Sequence, residues 1–387
     1  MKVEIISNEI IKPSSPTPDH LRQYQLSFLD QLSPRSYTPF LYYYDLNYAH
    51  SADDSDFIAD VSDKLKKSLS EALTGFYPLA GRLISDQFLG CSDEGIVYLE
   101  ARVKSKLSEV VVNPIPPELN KLLSFELDEI AELPLGVQLI NTFECRGIAI
   151  GLCFSHRITN ALSRLMFIKS WMAIARGEKD AAVRPEFVSA TLFPPRDIGE
   201  YDTSFTIAKK DTVITKRFVF AAASIQGLRG KYEQNLNGEI TNPNRPLSPV
   251  EIVSAFIWSR FAKATKSDQT KKFHTIHHAV NLRPKLDPPL PLHSFGNYYR
   301  PSTMIPSSSV SILICNDNVG EDCSFMHGLA RKMGEDIRKI DNDFVENIRK
   351  SGDEFVENLK KGAERLVQGN LVLENIEHKQ WTSEIQI

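Results

Sequence analysis

The pattern of apolar and polar positions over residues 138–177 predicts a buried strand followed by an amphipathic helix. Ile148–Phe154 (IAIGLCF) is an uninterrupted apolar run with the length and β-branched content of a buried strand. Apolar residues then recur at helical spacing over Leu162–Ala175. His156 lies between the two elements, in the Ser-His pair that ends the strand. We therefore expect a rigid turn that carries a histidine, a residue type suited to general-base catalysis.

The rest of the pattern predicts a mixture of strands and helices. Ser248 can cap a helix whose first turn contains Pro249 and in which Glu251 completes a capping box. Two repeats, DNDFVENIRK and GDEFVENLKK, separate Phe344 from Phe355 by 11 residues, which predicts one shared helical face. The predicted helices are Asp53–Gly75, Ser248–Ala264 and Cys323–Leu373. The predicted strands are Val3–Ile6, Pro39–Asp45, Gly95–Val103, Lys216–Phe220, Phe273–Leu282 and Leu313–Cys315.

Length and a local loss of periodicity predict two domains joined by a linker. A chain of 387 residues is too long for one ordinary core. Residues 178–215 lack regular apolar spacing and contain the run FPPRD, as is typical of an irregular connection. We therefore expect an N-terminal domain over residues 1–177 that carries His156, a crossover linker over 178–215 and a C-terminal domain over 216–387.

Composition narrows the class of protein. The apolar fraction of 42% and the charged fraction of 24% are typical of a globular protein. A net charge of −4 with dispersed lysines and arginines disfavours nucleic acid as a partner. No apolar run approaches the roughly 18 residues of a membrane span, and the N-terminus lacks a signal-peptide pattern, so we expect a cytoplasmic protein without a membrane partner. The 5 cysteines form no C-x-x-C pair, which predicts buried thiols.

Three arrangements of side chains could carry chemistry. His274, His277 and His278 could bind a metal, but neighbouring strand residues point to opposite faces, so we expect no metal site. Cys153 and His156 could form a nucleophile and its base, but a thiol inside a buried strand is usually inert. The third arrangement is His156 alone as a general base, which takes a proton from an attacking hydroxyl and returns it to the leaving group. That chemistry requires a dry channel, a bound electrophile and donors to the oxyanion.

Segments spread along the chain together resemble the plant BAHD family of acyl-CoA-dependent acyltransferases. The family motif H-x-x-x-D corresponds to His156–Asn160 (HRITN). The segment HHAVNLRPKLDPPL is similar to alkaloid O-acetyltransferases of the salutaridinol acetyltransferase and vinorine synthase type. The resemblance covers Val3–Asn297. It is carried by LSFLDQ, FYPLAGRL, the stretch from Gln138 to His156, the helix from Trp171 to Gly177, KRFVF, AVNLRPKLDPPLP and FGN.

The resemblance implies a fold and a reaction. The fold is α/β, with the two-domain architecture of chloramphenicol acetyltransferase, mixed sheets covered by helices and a substrate channel that passes His156. The reaction is transfer of an acyl group, most simply acetyl, from acyl-CoA to a hydroxyl of a specialised plant metabolite such as an alkaloid. His156 would be the general base. Acyl-CoA would be a co-substrate rather than a permanently bound cofactor, the acceptor would be a hydroxylated small molecule, and the protein would be a monomer.

The chain departs from the family pattern in two places. Asn160 stands where the family has an aspartate, which in the family pairs with an arginine that corresponds to Arg283 here. We expect Asn160 and Arg283 still to support the site, more weakly, because a buried arginine without a counter-ion costs roughly a few kcal/mol. The family motif D-F-G-W-G is absent, and Glu384 follows Thr382 and Ser383 where the family has tryptophan. We therefore expect an incomplete second domain with exposed strand edges and impaired activity.

Two other functions stay open on the sequence alone. Loss of the aspartate and of the C-terminal motif is compatible with a catalytically silent relative that binds a small molecule or a protein. The other is a hydrolase that splits the thioester with water and would release thiol without any acceptor. Thiol release from acetyl-CoA, with and without an acceptor, separates the three functions.

Overall fold

The computed structural model describes residues 1–45, 54–112, 114–127, 132–143, 147–199, 218–233, 245–264, 274–304, 323–368 and 374–377. The chain divides into two compact units. Unit 1 consists of Met1–Lys216 and Leu290–Tyr298, and unit 2 consists of Arg217–Pro289 and Tyr299–Ile387. A short segment from the second half of the sequence is therefore part of unit 1.

Unit 1 is built on a mixed five-stranded sheet with the order β1-β6-β7-β8-β3, and β2, β5 and β4 form a smaller sheet. In the large sheet β6 and β7 are parallel, whereas the other neighbours are antiparallel. All nine residues of β8 are buried, because it lies inside the sheet with both faces covered, and this explains its continuous apolar run. The strands are β1 (Val3–Ile11), β2 (Gln23–Gln25), β3 (Tyr37–Asp45), β4 (Arg82–Leu83), β5 (Phe88–Gly90), β6 (Ile96–Val103), β7 (Leu135–Thr142) and β8 (Gly147–Ser155).

Two long helices of unit 1 pack against each other and share its main core. The Trp171 indole donates from Nε1 to the Leu65 carbonyl and to Ser68 Oγ, both at 3.1 Å, so its one polar group is satisfied inside an apolar cluster. The predicted helices at 53–75 and 162–175 are confirmed as α2 and α5. The helices are α1 (Phe28–Gln31), α2 (Asp54–Gly75), α3 (Leu107–Val112), α4 (Pro116–Leu119), α5 (Ala161–Ala175) and α6 (Ser189–Leu192), with 3-10 turns at Asp19–Leu21, Tyr77–Ala80, Asn120–Leu122 and Lys179–Ala181.

The FYPLAGRL segment (Phe76–Leu83) forms a bend. Its first half is the buried 3-10 turn Tyr77–Ala80, and β4 follows directly. Gly81 lies so close to the Gly90 carbonyl oxygen that a Cβ would overlap it, so the bend requires glycine.

Two distant segments complete unit 1 by packing together. The Phe295 amide donates to the Glu186 carbonyl at 2.8 Å, and the Glu186 amide donates to the His293 carbonyl at 3.0 Å. The rings of Phe187 and Phe295 lie edge to face with centroids 5.3 Å apart. Glu186 and Phe187, from the segment predicted as a linker, thus pack against residues 293–295 inside unit 1.

Unit 2 combines a three-stranded sheet with five helices in its described residues. The sheet order is β10-β9-β11, with β10 antiparallel and β11 parallel to β9. Trp258, Ile252 and Met333 lie in its buried core. Among the helices in the described part of the chain, none combines the length and apolarity that a membrane crossing requires. The elements are α7 (Ala222–Glu233), α8 (Pro249–Ala264), β9 (His274–Asn281), a 3-10 turn (Arg283–Lys285), β10 (Tyr299–Met304), α9 (Cys323–Arg338), α10 (Asn342–Lys350), α11 (Gly352–Gln368) and β11 (Glu374–Glu377).

The capping box predicted at the start of α8 is confirmed. The Glu251 amide donates to Ser248 Oγ at 3.3 Å, and the Ser248 amide donates to Glu251 Oε2 at 2.7 Å. Two amides that the helix itself leaves unpaired are therefore satisfied.

The prediction of one long helix over 323–373 is wrong, because the described residues form three helices. Asp341 caps α10 by accepting from the Phe344 amide at 3.0 Å, and the chain breaks again at Ser351 before α11 begins. Phe344 and Phe355 therefore lie on successive helices rather than on one face, and their rings meet edge to face at 6.3 Å. Local breakers overrode the 11-residue periodicity.

The predicted strand Lys216–Phe220 is wrong where the structure describes it. Residues 218–220 have no regular secondary structure, and Phe218 and Val219 are 74% and 80% exposed. β-branched and aromatic residues favour a strand only where a neighbouring strand can bury them. The predicted strand Leu313–Cys315 lies outside the described residues.

Candidate active site

His156 is the first residue after β8, at the point where the sheet gives way to α5. Its amide donates to the Ser36 carbonyl at 2.9 Å, just before β3 begins. The Ser155 amide, one residue earlier, donates to the Pro134 carbonyl at 2.9 Å. The His156 side chain is half-buried, whereas the strand before it is fully buried. The predicted turn between strand and helix is therefore present, and its backbone is tied to both flanking strands.

Asn160 begins α5 as its N-cap. Its Oδ1 accepts from the Ser163 amide at 3.0 Å, which satisfies one of the amides exposed at the first turn of a helix. Ser163 Oγ in turn accepts from the Gly296 amide and donates to the Gly296 carbonyl, both at 3.0 Å. Gly296 has φ +135, a conformation that favours glycine. The asparagine thus retains a defined structural role in unit 1 without a charge.

The turn contains a buried arginine that ties it to α1. Arg157 Nη1 donates to the Gln31 carbonyl at 2.9 Å, and Nη2 donates to Asp86 Oδ1 at 3.0 Å. Burial lowers the pKa of Arg157, with a further contribution from Arg35, while the Asp86 carboxylate opposes this shift. An ion pair with one buried member is costly to break, so Arg157 limits movement of the residue that precedes it, His156.

A second buried arginine closes the turn from the helix side. Arg164 Nε donates to Thr159 Oγ1 at 3.0 Å, and its Nη2 donates to the Thr159 carbonyl at 2.5 Å. Thr159 Oγ1 donates to the Ser155 carbonyl at 2.9 Å. Residues 155–164 therefore form one hydrogen-bonded unit around His156.

Asp30 and Asn297 meet beside the histidine. Asn297 Nδ2 donates to Asp30 Oδ1 at 2.9 Å and to the His156 carbonyl at 2.8 Å, and its amide N donates to Asp30 Oδ1 at 3.1 Å. Asp30 Oδ2 accepts from the amide and hydroxyl of Ser27 at 2.9 and 2.6 Å. Burial raises the pKa of Asp30, and the bonds from Ser27 and Asn297 oppose that rise.

Arg283, the third predicted site residue, belongs to unit 2. It is fully buried at the start of the 3-10 turn Arg283–Lys285. Its amide and its Nη1 donate to Asn281 Oδ1 at 3.2 and 3.3 Å. These bonds fix the guanidinium at the end of β9, and its pairing with Asn160 stays a prediction.

The structure gives little support to the other two arrangements, a metal site at the histidines of β9 and a nucleophile at Cys153. His277 Nδ1 lies 2.9 Å from Thr303 Oγ1, whereas His278 Nε2 lies 3.0 Å from Ser254 Oγ in the core, so the two rings face different partners. Cys153 is buried, and burial raises the pKa of its thiol. Since the thiolate is the nucleophilic form, Cys153 is poorly suited to attack a thioester.

Comparison with known proteins decides the family. The model of the Transferase family matches residues 1–366. The chain belongs to this family, the BAHD acyltransferases. Family members use acyl-CoA as a co-substrate. The BAHD resemblance found in the sequence is thereby confirmed.

Three BAHD proteins show the extent of the similarity. Salutaridinol 7-O-acetyltransferase of Papaver somniferum is 34% identical over 372 residues, covering 88% of this chain and 77% of that enzyme. Akuammiline synthase 2 of Alstonia scholaris is 36% identical over 308 residues, covering 77% of this chain but only 66% of the relative. The crystal structure of vinorine synthase, an enzyme of Rauvolfia serpentina, matches with TM-score 0.67 and 31% identity, covering 86% of this chain and 75% of that one. The predicted two-domain α/β architecture is confirmed by this match.

Sequence reasoning found the BAHD histidine but missed three residues around it. Arg157 stood inside the motif and was not singled out. Asp30 and Asn297 stood in LSFLDQ and FGN, two segments that had only served to establish the resemblance. The available signal for Asp30 was a charged residue directly after the apolar pair Phe28-Leu29, since buried carboxylates are rare unless hydrogen-bonded.

Proposed function

We propose that this chain transfers an acyl group from acyl-CoA to a hydroxyl of a specialised plant metabolite, with His156 as general base. The observation that carries the proposal is the fixed backbone of His156, whose amide donates to Ser36 and whose carbonyl accepts from Asn297. A half-buried imidazole on such a backbone has a defined direction, as proton transfer in a transition state requires.

The reaction uses His156 without a covalent intermediate on the protein. A neutral imidazole nitrogen takes the acceptor's hydroxyl proton as the hydroxyl oxygen attacks the thioester carbonyl. The tetrahedral intermediate then expels the CoA sulfur, which receives the same proton from the imidazolium and leaves as a thiol. The products are an ester and free CoA, and His156 returns to its starting state.

The acyl group and the acceptor follow from the relatives. The name of salutaridinol 7-O-acetyltransferase specifies the transfer of an acetyl group to an alcohol oxygen. Its 34% identity over 88% of this chain supports acetyl-CoA as donor and a bulky alcohol such as an alkaloid as acceptor. Asn160 and Arg283 would support the site as its family counterparts do, through shape and hydrogen bonding at Asn160 rather than through charge.

The free thiols favour a reducing compartment. Cys91 and Cys153 are both buried and free of disulfide bonds, and burial raises the pKa of the Cys91 thiol to about 12. Such thiols persist in the cytosol, so cytoplasmic location is part of the proposal, together with a monomeric state. A fluorescent fusion and sedimentation of the purified chain test these two points.

The missing charge at Asn160 favours one alternative, a catalytically silent BAHD relative that binds a small molecule or a protein. The N-cap bond of Asn160 argues against it, because the turn that carries His156 keeps its hydrogen bonds without the carboxylate.

Thiol release decides between these functions. The chain is incubated with acetyl-CoA and a panel of alkaloid and phenolic alcohols, and free CoA is followed together with the acetylated product. His156→Ala is the test variant, and His20→Ala, at an exposed histidine, is its matched control. Acceptor-dependent release that is lost only in His156→Ala supports the transferase.

Three results contradict the proposal. Release without any acceptor identifies a hydrolase. Absence of CoA release from a chain that is folded, as shown by a cooperative thermal transition, identifies the silent relative. Acceptor-dependent release that survives in His156→Ala shows that His156 is not the general base.

A further inference from the structure

The Asn297 side chain is shared between a buried carboxylate and the backbone of the proposed base. Its Nδ2 donates to Asp30 Oδ1 at 2.9 Å and to the His156 carbonyl at 2.8 Å. Both partners are acceptors, so the amide group must present its two hydrogens to them and cannot be flipped. The orientation of Asn297 is therefore determined by Asp30 and His156 together.

Asp30 is an unusual choice for a purely structural contact. The residue is fully buried, and the Arg157 guanidinium, whose charge interacts with it, is ion-paired with Asp86 instead. Its two oxygens accept four hydrogen bonds, all from Ser27 and Asn297. Burial of a carboxylate among neutral donors opposes folding, yet such charge-assisted bonds are the strongest way to fix a neighbouring amide.

The backbone next to Asn297 is also fixed by hydrogen bonds. Gly296, immediately before it, exchanges two 3.0 Å hydrogen bonds with the Ser163 hydroxyl in the first turn of α5. Asp30 in α1 thus holds the Asn297 side chain, and Ser163 in α5 holds the backbone of the residue before it. The Asn297 side chain binds the His156 carbonyl, whereas the Ser36 carbonyl binds the His156 amide.

We propose that Asp30 and Asn297 are positioning residues for His156: the Asp30 carboxylate aligns the Asn297 amide, which fixes the His156 carbonyl and hence the direction of the imidazole. This inference rests on the proposed function of His156. Neither residue touches the reacting atoms, so each acts through the histidine.

Kinetics provide the first test. Asn297→Ala removes the donor to the His156 carbonyl. Asp30→Asn removes the carboxylate charge but keeps the side-chain shape, so it serves as the test variant if Asn297→Ala does not fold. We expect kcat to fall roughly ten- to a hundred-fold with KM for acetyl-CoA little changed, since misalignment affects the transition state more than binding. Ser68→Ala is the matched control, because it removes a buried hydrogen bond of unit 1 from the Trp171 indole and should leave kcat unchanged.

An exchange of the two side chains separates positioning from stability. In the double variant with Asp30→Asn and Asn297→Asp, the side chains at 30 and 297 can again hydrogen-bond to each other. The carboxylate at 297 has no hydrogen to donate to the His156 carbonyl. We expect the thermal midpoint to recover relative to Asp30→Asn and kcat to stay low. Recovery of kcat together with the midpoint would overturn the proposal.

A readout without turnover keeps this proposal distinct from the proposed function. NMR of 15N-histidine-labelled chain follows the ring signals of His156, assigned by their loss in His156→Ala. We expect Asn297→Ala to shift or broaden these signals, whereas Ser68→Ala leaves them in place. If wild type is inactive, the transferase proposal fails while the ring signals still test the positioning. Unchanged ring signals in both Asn297→Ala and Asp30→Asn overturn it.

Discussion

Asn297 donates a 2.8 Å hydrogen bond to the carbonyl oxygen of His156 across 141 positions of the sequence. The two residues stand in the same unit because Leu290–Tyr298 is part of unit 1 although the residues on both sides of it belong to unit 2. The turn that carries the proposed base is therefore stabilised by a segment from the second half of the chain as well as by its own strand and helix.

The N-cap at Asn160 predicts how stability responds to substitution. Asn160→Ala removes the acceptor for the Ser163 amide and should lower the free energy of unfolding by about 1 kcal/mol. Asn160→Asp keeps the acceptor and adds a negative charge at the start of α5, where the helix dipole favours it, so it should be at least as stable as wild type. Chemical denaturation of the three proteins measures the difference. Equal stability of the alanine variant and wild type would show that the cap contributes nothing.

Two glycines in α9 predict opposite effects of the same substitution. A Cβ at Gly334 would overlap the Glu251 carboxylate, which is buried and bound by the Ser248 amide and by Arg245, each at 2.7 Å. Gly334→Ala should therefore destabilise the chain by roughly 1–3 kcal/mol. At Gly328 a Cβ meets no atom within 4 Å, so Gly328→Ala should stabilise by about 0.5–1 kcal/mol through helix propensity.

Thermal unfolding of the Gly334 and Gly328 variants side by side checks this pair. A destabilised Gly328→Ala would contradict the helix-propensity argument, and a neutral Gly334→Ala would mean that Glu251 can move without losing its bonds.

His327 predicts a loss of stability in weak acid. Its Nε2 accepts from Arg331 Nε at 3.3 Å, which requires a neutral ring. Burial and the Arg331 charge lower the pKa of His327 below its ordinary 6.5, while Glu233 and Glu251 oppose the shift. An unfolded histidine therefore binds a proton at a higher pH than the folded one. The stabilisation is complete above about pH 6.5 and is lost as pH falls toward the folded pKa.

Thermal midpoints between pH 8 and pH 5.5 measure this effect. His327→Gln keeps an acceptor for Arg331 but does not titrate, so its midpoint should fall less steeply with pH than that of wild type. His20→Gln, at an exposed histidine, should follow the wild-type curve. Parallel curves for wild type and His327→Gln would assign the acid sensitivity to other groups.

The sequence predicted the elements that depend on neighbouring residues. Each of three confirmed features depends only on residues close together in the sequence. They are the apolar run of β8, the helical spacing of α5 and the capping box of α8. His156 was found because it stands between two such signals. Its placement needed no knowledge of distant contacts.

Features that depend on distant partners were predicted poorly or not at all. The strand at 216–220 was wrong because its residue types favour pairing only when another strand is present to receive them. The bonds of Asn297 to Asp30 and His156 escaped notice because nothing in the local pattern of FGN reveals a partner that lies 267 or 141 positions away. Side-chain chemistry of this kind becomes visible only when unit 1 is assembled.

The membership of Leu290–Tyr298 in unit 1 has a consequence for synthesis on the ribosome. His156 emerges 141 residues before Asn297, which at cellular elongation rates corresponds to a delay on the order of ten seconds. During that interval the Asp30 carboxylate lacks the two hydrogen bonds that Asn297 donates and has only the two from Ser27. Unit 1 therefore matures only after most of the polypeptide has been translated, although the first 216 residues contain all five strands of its main sheet.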